Sequence, residues 1–152
     1  MPTAALDTNL VVLRLVGEIA PELLGQHRRV RSFGIEDITV LEELCRSYDR
    51  LIVTPHVLAE TSNLVGSGTQ QVAPGAAAAL SRYASEVEER HVSAQVLIEG
   101  RFAERFGFAD ASLIALAQAG VTILTEDFPL DGWLRHAGLP TVNFSHYRFG
   151  GS

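Results

Sequence analysis

The sequence contains no lysine: all 12 basic side chains are arginine. That absence excludes chemistries built on an ammonium group, among them a P-loop nucleotide site, Schiff-base formation and a lysine general base. Cysteine is almost missing as well. Cys45 stands alone, so no internal disulfide can form and nothing points to an oxidising compartment. Its neighbours Leu41 and Leu44 share a helical face with it, which predicts a packing residue rather than a reactive thiol. No run of about 18 unbroken apolar residues occurs, which argues against a membrane span. The opening Met1-Pro2-Thr3 lacks the basic stretch that precedes the apolar core of a secretion signal. A cytoplasmic protein is therefore expected. The 5 histidines are scattered without the paired spacing of a structural zinc site.

Positive charge is scarce overall. A net charge of −6 argues against a surface coated for nucleic acid. It does not exclude a nuclease, because a metal site made of carboxylates is acidic in itself and a local basic patch can hold the substrate. A chain of 152 residues that is 47% hydrophobic can bury a full core, so one domain is expected over residues 1–148 with a short tail at 149–152. No internal repeat, linker or low-complexity segment interrupts it.

Apolar periodicity gives the order of elements. Thr3 to Leu6 reads as a short strand, and Leu10 to Val16 as a helix. Residues 25–37 are polar, with the run His27-Arg28-Arg29-Val30-Arg31, and read as a loop or helix edge. Ile38 to Tyr48 has helical spacing. Leu51-Ile52-Val53 is a β-branched strand, after which Thr54 and Pro55 form a helix start for a helix reaching about Val65. A second helix is predicted from Pro74 to about Arg90, a third from a Ser93 cap to about Phe106 with Gly107 ending it, and a fourth over Ala109–Ala119. Val121–Leu124 is the clearest strand. Pro129–Ala137 reads as a short helix and Thr141–Phe144 as a last strand. The strands alternate with helices and are apolar throughout, which predicts an α/β protein with a parallel sheet covered on both faces.

In such sheets, sites form at the carboxyl ends of the strands, and four acids fall there. Asp7 ends the first strand, Asp127 follows Val121–Leu124, Glu60 lies in the helix after Leu51–Val53, and Asp110 opens the helix before Val121. Glu60 shares a helical face with Val57 and Leu64, so it is expected along a buried edge. Asp110 shares one with Leu113, Ile114 and Ala117, and a first-turn carboxylate there is favoured by the helix dipole. Carboxylates converging in one pocket repel each other, and a hard divalent cation such as Mg²⁺ or Mn²⁺ removes that penalty. A cation so held can orient a water and stabilise the leaving oxygen of a phosphodiester. Each acid also has a plainer reading: a helix cap for Asp7, a dipole partner for Asp110, a surface position for Glu60, and a turn for Asp127, with Asp131 competing for its role.

Four motifs in order carry a resemblance. Leu6-Asp7-Thr8-Asn9, Thr54-Pro55-His56-Val57-Leu58-Ala59-Glu60, Ala109-Asp110-Ala111 followed by Leu113-Ile114-Ala115, and Leu124-Thr125-Glu126-Asp127 are similar to the acidic motifs of the PIN-domain family. The tail Ala137-Gly138-Leu139-Pro140-Thr141-Val142 is similar to its closing helix-to-strand turn. At this length the chain resembles the VapC-like ribonuclease toxins of type II toxin–antitoxin systems. The resemblance implies a three-layer α/β/α fold with four to five parallel strands in the order 3-2-1-4-5. It implies a Mg²⁺- or Mn²⁺-dependent, single-strand-preferring ribonuclease, often a homodimer, with a cognate antitoxin as a possible partner. Asp7, Glu60, Asp110 and Asp127 would then be catalytic and metal-holding residues. Thr8, Asn9 and Thr125 would support them, and Asp131 would help through water. Against the family pattern, the first strand is very short and residues 25–37 look like an insertion.

Arg14, Arg28, Arg29 and Arg31 are candidate phosphate contacts. Trp133, Tyr147 and Phe149 are aromatic residues able to stack on bases, although core or dimer contacts are the commoner fate of such rings. Three other readings compete: a non-catalytic PIN-like binding module, a DNA-directed nuclease, and an aspartyl phosphatase. The last wants a second acid two residues after the first, where this chain has Asn9, and a lysine.

Overall fold

The computed structural model describes residues 2–26, 29–30, 32–66 and 73–148. Among the described residues five short strands form one all-parallel sheet: β1 (Thr3–Leu6), β2 (Arg50–Val53), β3 (Glu88–Glu89), β4 (Thr122–Thr125) and β5 (Thr141–Asn143), in the order β3-β2-β1-β4-β5. Among the described residues eight helices cover it: α1 (Thr8–Ile19), α2 (Ile35–Arg46), α3 (Pro55–Gly66), α4 (Ala73–Glu86), α5 (Ala94–Glu99), α6 (Phe102–Gln118), α7 (Phe128–His136) and α8 (Ser145–Arg148). This is the three-layer parallel α/β architecture expected from the sequence. No helix of the described residues is long and apolar enough to cross a membrane.

β1 pairs with β2 on one side and β4 on the other, with Ala4 opposite both Leu51 and Thr122. Chain connections run outward in both directions from that pair, so the crevice beyond the ends of β1 and β4 is the topological switch point. α1 is apolar nearly all round: Leu10, Val11, Val12, Leu13, Leu15 and Val16 are all fully buried. A helix with that pattern belongs in the core, and it packs against β1, β4 and the helices α2, α3 and α4. The first turn of α1 is thereby fixed to the switch point.

Several boundaries depart from the sequence reading. α4 stops at Glu86 rather than Arg90, and Glu88–Glu89 becomes the edge strand β3, paired as Ile52 to Glu88 and Val53 to Glu89. Two glutamates carry no strand propensity. Backbone pairing to β2 and ion pairs from Arg50 (2.8 Å) and Arg90 (2.9 Å) to Glu88 hold them there. α2 begins at Ile35, three residues early, because Asp37 accepts the Gly34 N–H at 2.8 Å. The helix expected from Ser93 to Phe106 is two. Ser93 does cap α5, but Arg101 takes a left-handed backbone (φ 63°) and starts α6. Gly107 (φ 83°) breaks the helical backbone inside α6 instead of ending a helix. The polar segment after α1 contributes a 3₁₀ turn, Pro21–Gln26. Cys45 is buried, as expected for a packing residue.

Candidate active site

Asp7 sits at the switch point, and its carboxylate has three donors. Oδ1 accepts the Leu10 N–H at 2.9 Å and so caps α1. Oδ2 accepts the Thr125 hydroxyl and the Glu126 N–H, the latter at 3.2 Å. The plain cap reading is thus correct and incomplete, since the same group also ties the end of β1 to the end of β4. Burial pushes the Asp7 carboxyl up to about 6 even though all three hydrogen bonds favour the charged form, and nearby Asp127 pushes the same way.

Thr125 lies inside β4 rather than beyond it, one residue later than the sequence suggests, and its hydroxyl also accepts the Asp127 N–H at 2.9 Å. Asp127 caps α7 through Oδ1 and the Leu130 N–H at 3.0 Å. It is exposed.

Asp110 faces this pair from α6. It follows the break at Gly107 by three residues, so it lies in the first turn of the straight part of α6, and not at the start of the helix. Leu113, Ile114 and Ala117 are buried as expected. The Asp110 carboxyl is pushed up to about 7, first by burial and then by the charges of Asp7, Asp127 and Glu60. That shift is the clearest sign that the four acids share one field.

Glu60 is exposed, contrary to the expected buried edge. The inward stripe of α3 is Val57, Thr61 and Val65, four residues apart, and this phasing turns Glu60 off the core face. Neither Glu60 nor Asp110 has a hydrogen-bond or ion-pair partner among the described residues. Thr8 is buried with a hydroxyl that likewise has no protein partner among them, and Asn9 is partly exposed beside it.

Two supports escaped sequence reasoning. Ser112 Oγ donates to the Ala109 carbonyl at 2.6 Å, so the Thr54 hydroxyl is the donor in the 2.7 Å Thr54–Ser112 bond. Thr54 in turn accepts the Val57 N–H at 3.2 Å. This buried chain pins the start of α3 to α6 beside Asp110. Thr54 had a capping signal; Ser112 had none. The second support is Arg148, whose guanidinium bonds Asp37 (3.0 Å), the Ser32 carbonyl (2.6 Å) and Glu126 (3.3 Å) and lies 4.3 Å from the Phe33 ring centre. Burial and the Asp7 charge raise the Glu126 carboxyl, while Arg148 opposes them. Removing Arg148 would strand Asp37 as a buried unpaired charge. Arg148→Met is therefore expected to lower unfolding free energy by about 3 kcal/mol in a denaturant titration; an unchanged midpoint would refute the role.

Other candidates lie elsewhere. Arg14 is seven residues along α1 from Asp7, about 10 Å away along the helix. It pairs with Glu42 at 2.7 Å and lies over the Tyr83 ring, so it does not reach the site. Asp131 is committed to Arg135 (3.1 Å) and to the Thr141 hydroxyl (2.8 Å). Arg29 is exposed, and Arg28, Arg31 and Phe149 fall outside the described residues. Among the described residues no three His, Cys, Asp or Glu side chains are grouped to hold a metal ion between them. The acids form an open cluster.

No family model matches the chain, and no curated protein does.

Proposed function

We propose that this chain is a metal-dependent endoribonuclease of the PIN-domain type, acting as the toxin of a toxin–antitoxin pair and working as a homodimer. The observation that carries the reading is the placement of Asp7 at the switch point of the sheet, tied to Thr125 and Glu126 at the end of β4, with Asp127, Asp110 and Glu60 as charged neighbours in one field. Such a cluster is unfavourable alone and suits a hard divalent cation, for which carboxylate oxygens are the preferred ligands. Mg²⁺ is commonly held by only one or two carboxylates with waters and substrate phosphate completing its shell, which fits an open cluster. Among the described residues the carboxylates of Asp110 and Glu60 and the buried Thr8 hydroxyl have no partner, which leaves them available to serve it.

A bound Mg²⁺ or Mn²⁺ would supply an activated water and neutralise charge on the leaving oxygen. Asp7 would be the fixed point, oriented by Leu10, Thr125 and Glu126. Asp110 and Asp127 would face it across the crevice, and Glu60 would stand at the solvent side.

A non-catalytic module is the second reading, favoured by the lack of any three side chains that enclose a cation among the described residues. One assay separates the two. Labelled single-stranded RNA and matched DNA are incubated with Mn²⁺, Mg²⁺ or EDTA, alongside Asp7→Asn. Cleavage of RNA that needs the metal and falls about 10²-fold or more in the variant is the expected result. Intact RNA under every condition, with the protein folded, supports the module. Preferential cutting of DNA changes the substrate and leaves the chemistry.

A further inference from the structure

Beside Asp127, α6 and α7 enclose an open groove of about 490 Å³, lined by Arg105 and Phe106 of α6 and by Phe128, Gly132, Trp133 and His136 of α7. Positions 128, 132 and 136 recur at helical spacing and share one face. Trp133 is braced by edge contacts to Phe102 (5.2 Å between ring centres) and Phe106 (5.9 Å), which makes it a fixed wall. Phe128 is 64% exposed, more than any other large apolar residue described. The Arg105 guanidinium lies 5.0 Å from the Phe106 ring centre and has no carboxylate partner among the described residues.

Gly132 is the second, independent observation. It sits inside α7, where glycine is poorer than alanine. A Cβ added there would meet nothing within 4 Å, so no packing in the protein requires its absence. What a bare helix surface facing a groove permits is the close approach of something flat.

The charges fit a polyanion. In a chain of net charge −6, the groove has the Arg105 guanidinium at its rim and no carboxylate among its described lining residues. Aromatic faces beside a guanidinium are how single-stranded nucleic acids are held: bases stack, and the cation meets phosphate. The groove also begins one residue after Asp127, so a strand lying in it continues into the acidic crevice.

We propose that this groove is a base-stacking subsite for single-stranded RNA, with unpaired bases on Phe128 and Trp133 and a phosphate at Arg105. The proposal rests on the ribonuclease reading and adds the residues that hold the substrate. It also explains how an acidic protein binds RNA: stacking does not depend on net charge.

Trp133 is the only tryptophan, so its fluorescence reports on the groove directly. A short oligouridine is titrated into the full chain in EDTA, against an abasic strand of equal length. The expected result is saturable quenching by oligouridine and little by the abasic strand. Phe128→Ala should weaken binding roughly tenfold. Gly132→Leu should raise the melting temperature by a few degrees and yet abolish quenching, a combination that a purely structural role would not give. With metal, Phe128→Ala should raise KM and leave kcat near its original value.

Metal-dependent cleavage with KM and quenching unchanged in both variants overturns the subsite and leaves the nuclease standing. Equal quenching by the abasic strand overturns it too, since phosphate attraction would then suffice. Base-dependent quenching that needs Phe128, in a protein that cuts no RNA, keeps the subsite and removes the nuclease. A dimer that Phe128→Ala converts to monomer in sedimentation, without base-dependent quenching, makes this face a contact between copies and overturns the proposal.

Discussion

Asp110→Asn is expected to reduce metal-dependent RNA cleavage by about 10³-fold or more, and to make the metal-free protein more stable. The first effect follows if Asp110 serves a divalent cation. The second follows from its surroundings. The carboxyl is pushed up to about 7 by burial and by three acidic neighbours. Above that pH its charge opposes folding, and an amide of the same shape removes the charge. Asp110 makes no hydrogen bond among the described residues, so the amide leaves no donor or acceptor mismatched. A gain of roughly 2–4 kcal/mol at pH 8 in EDTA is expected, read from denaturant midpoints. Asp7 is a poorer choice for this test, because an amide there would face two donors, the Thr125 hydroxyl and the Glu126 N–H. An inactive variant less stable than the parent would mean that Asp110 is needed for packing and would sink the charge argument. Stability given up at a functional site is the trade expected when carboxylates are crowded for chemistry.

The second large effect is on pH. Asp7 and Asp110 have folded-state values of about 6 and about 7 against an ordinary 3.8. At about pH 3 and below both are protonated whether the chain is folded or not, and they contribute almost nothing. As pH rises from about 3 to 7 the unfolded chain ionises while the folded chain holds its protons, so these two groups make stability fall with rising pH. Above pH 7 the full penalty is present, about 3 kcal/mol from Asp7 alone. This is opposite to the common case of salt-bridged carboxylates, whose loss destabilises a protein in acid. Ion pairs elsewhere, such as Arg148 with Asp37, also bear on the parent's stability. The site is therefore isolated as a difference: the stability gap between Asp110→Asn and the parent should be wide at pH 8 in EDTA and close by about pH 3. Added Mg²⁺ or Mn²⁺ at pH 8 should narrow it by stabilising the parent alone. A gap that does not vary with pH would mean that Asp110 ionises normally, and a gap indifferent to either metal would count against the metal site.

The sequence by itself determined the class of architecture and the order of its parts. Runs such as Leu51-Ile52-Val53 and Val121–Leu124, apolar on both faces and separated by helical spacing, suit a parallel sheet covered on both sides. The position of Asp7 and Asp127 at strand ends was legible for the same reason, and so was the start of α3 at Thr54 and Pro55. What only the tertiary structure decided is whatever depends on a distant neighbour. Glu88–Glu89 is a strand because β2 offers an open edge, not because glutamate prefers one. Glu60 is exposed because the packing of α3 chose Val57, Thr61 and Val65 as its inward stripe, and periodicity alone could not separate stripes that differ by one residue, about 100° of helix rotation. Arg14 looked like a phosphate contact until α1 carried it down the helix to Glu42. Ser112 and Arg148 gave no signal, since a hydroxyl or guanidinium becomes a support only when its partner, tens of residues away, is folded against it. The electrostatic field of the four acids belongs to the tertiary structure as well. Burial raises the charges' cost and proximity couples them, and neither burial nor proximity exists along an extended chain.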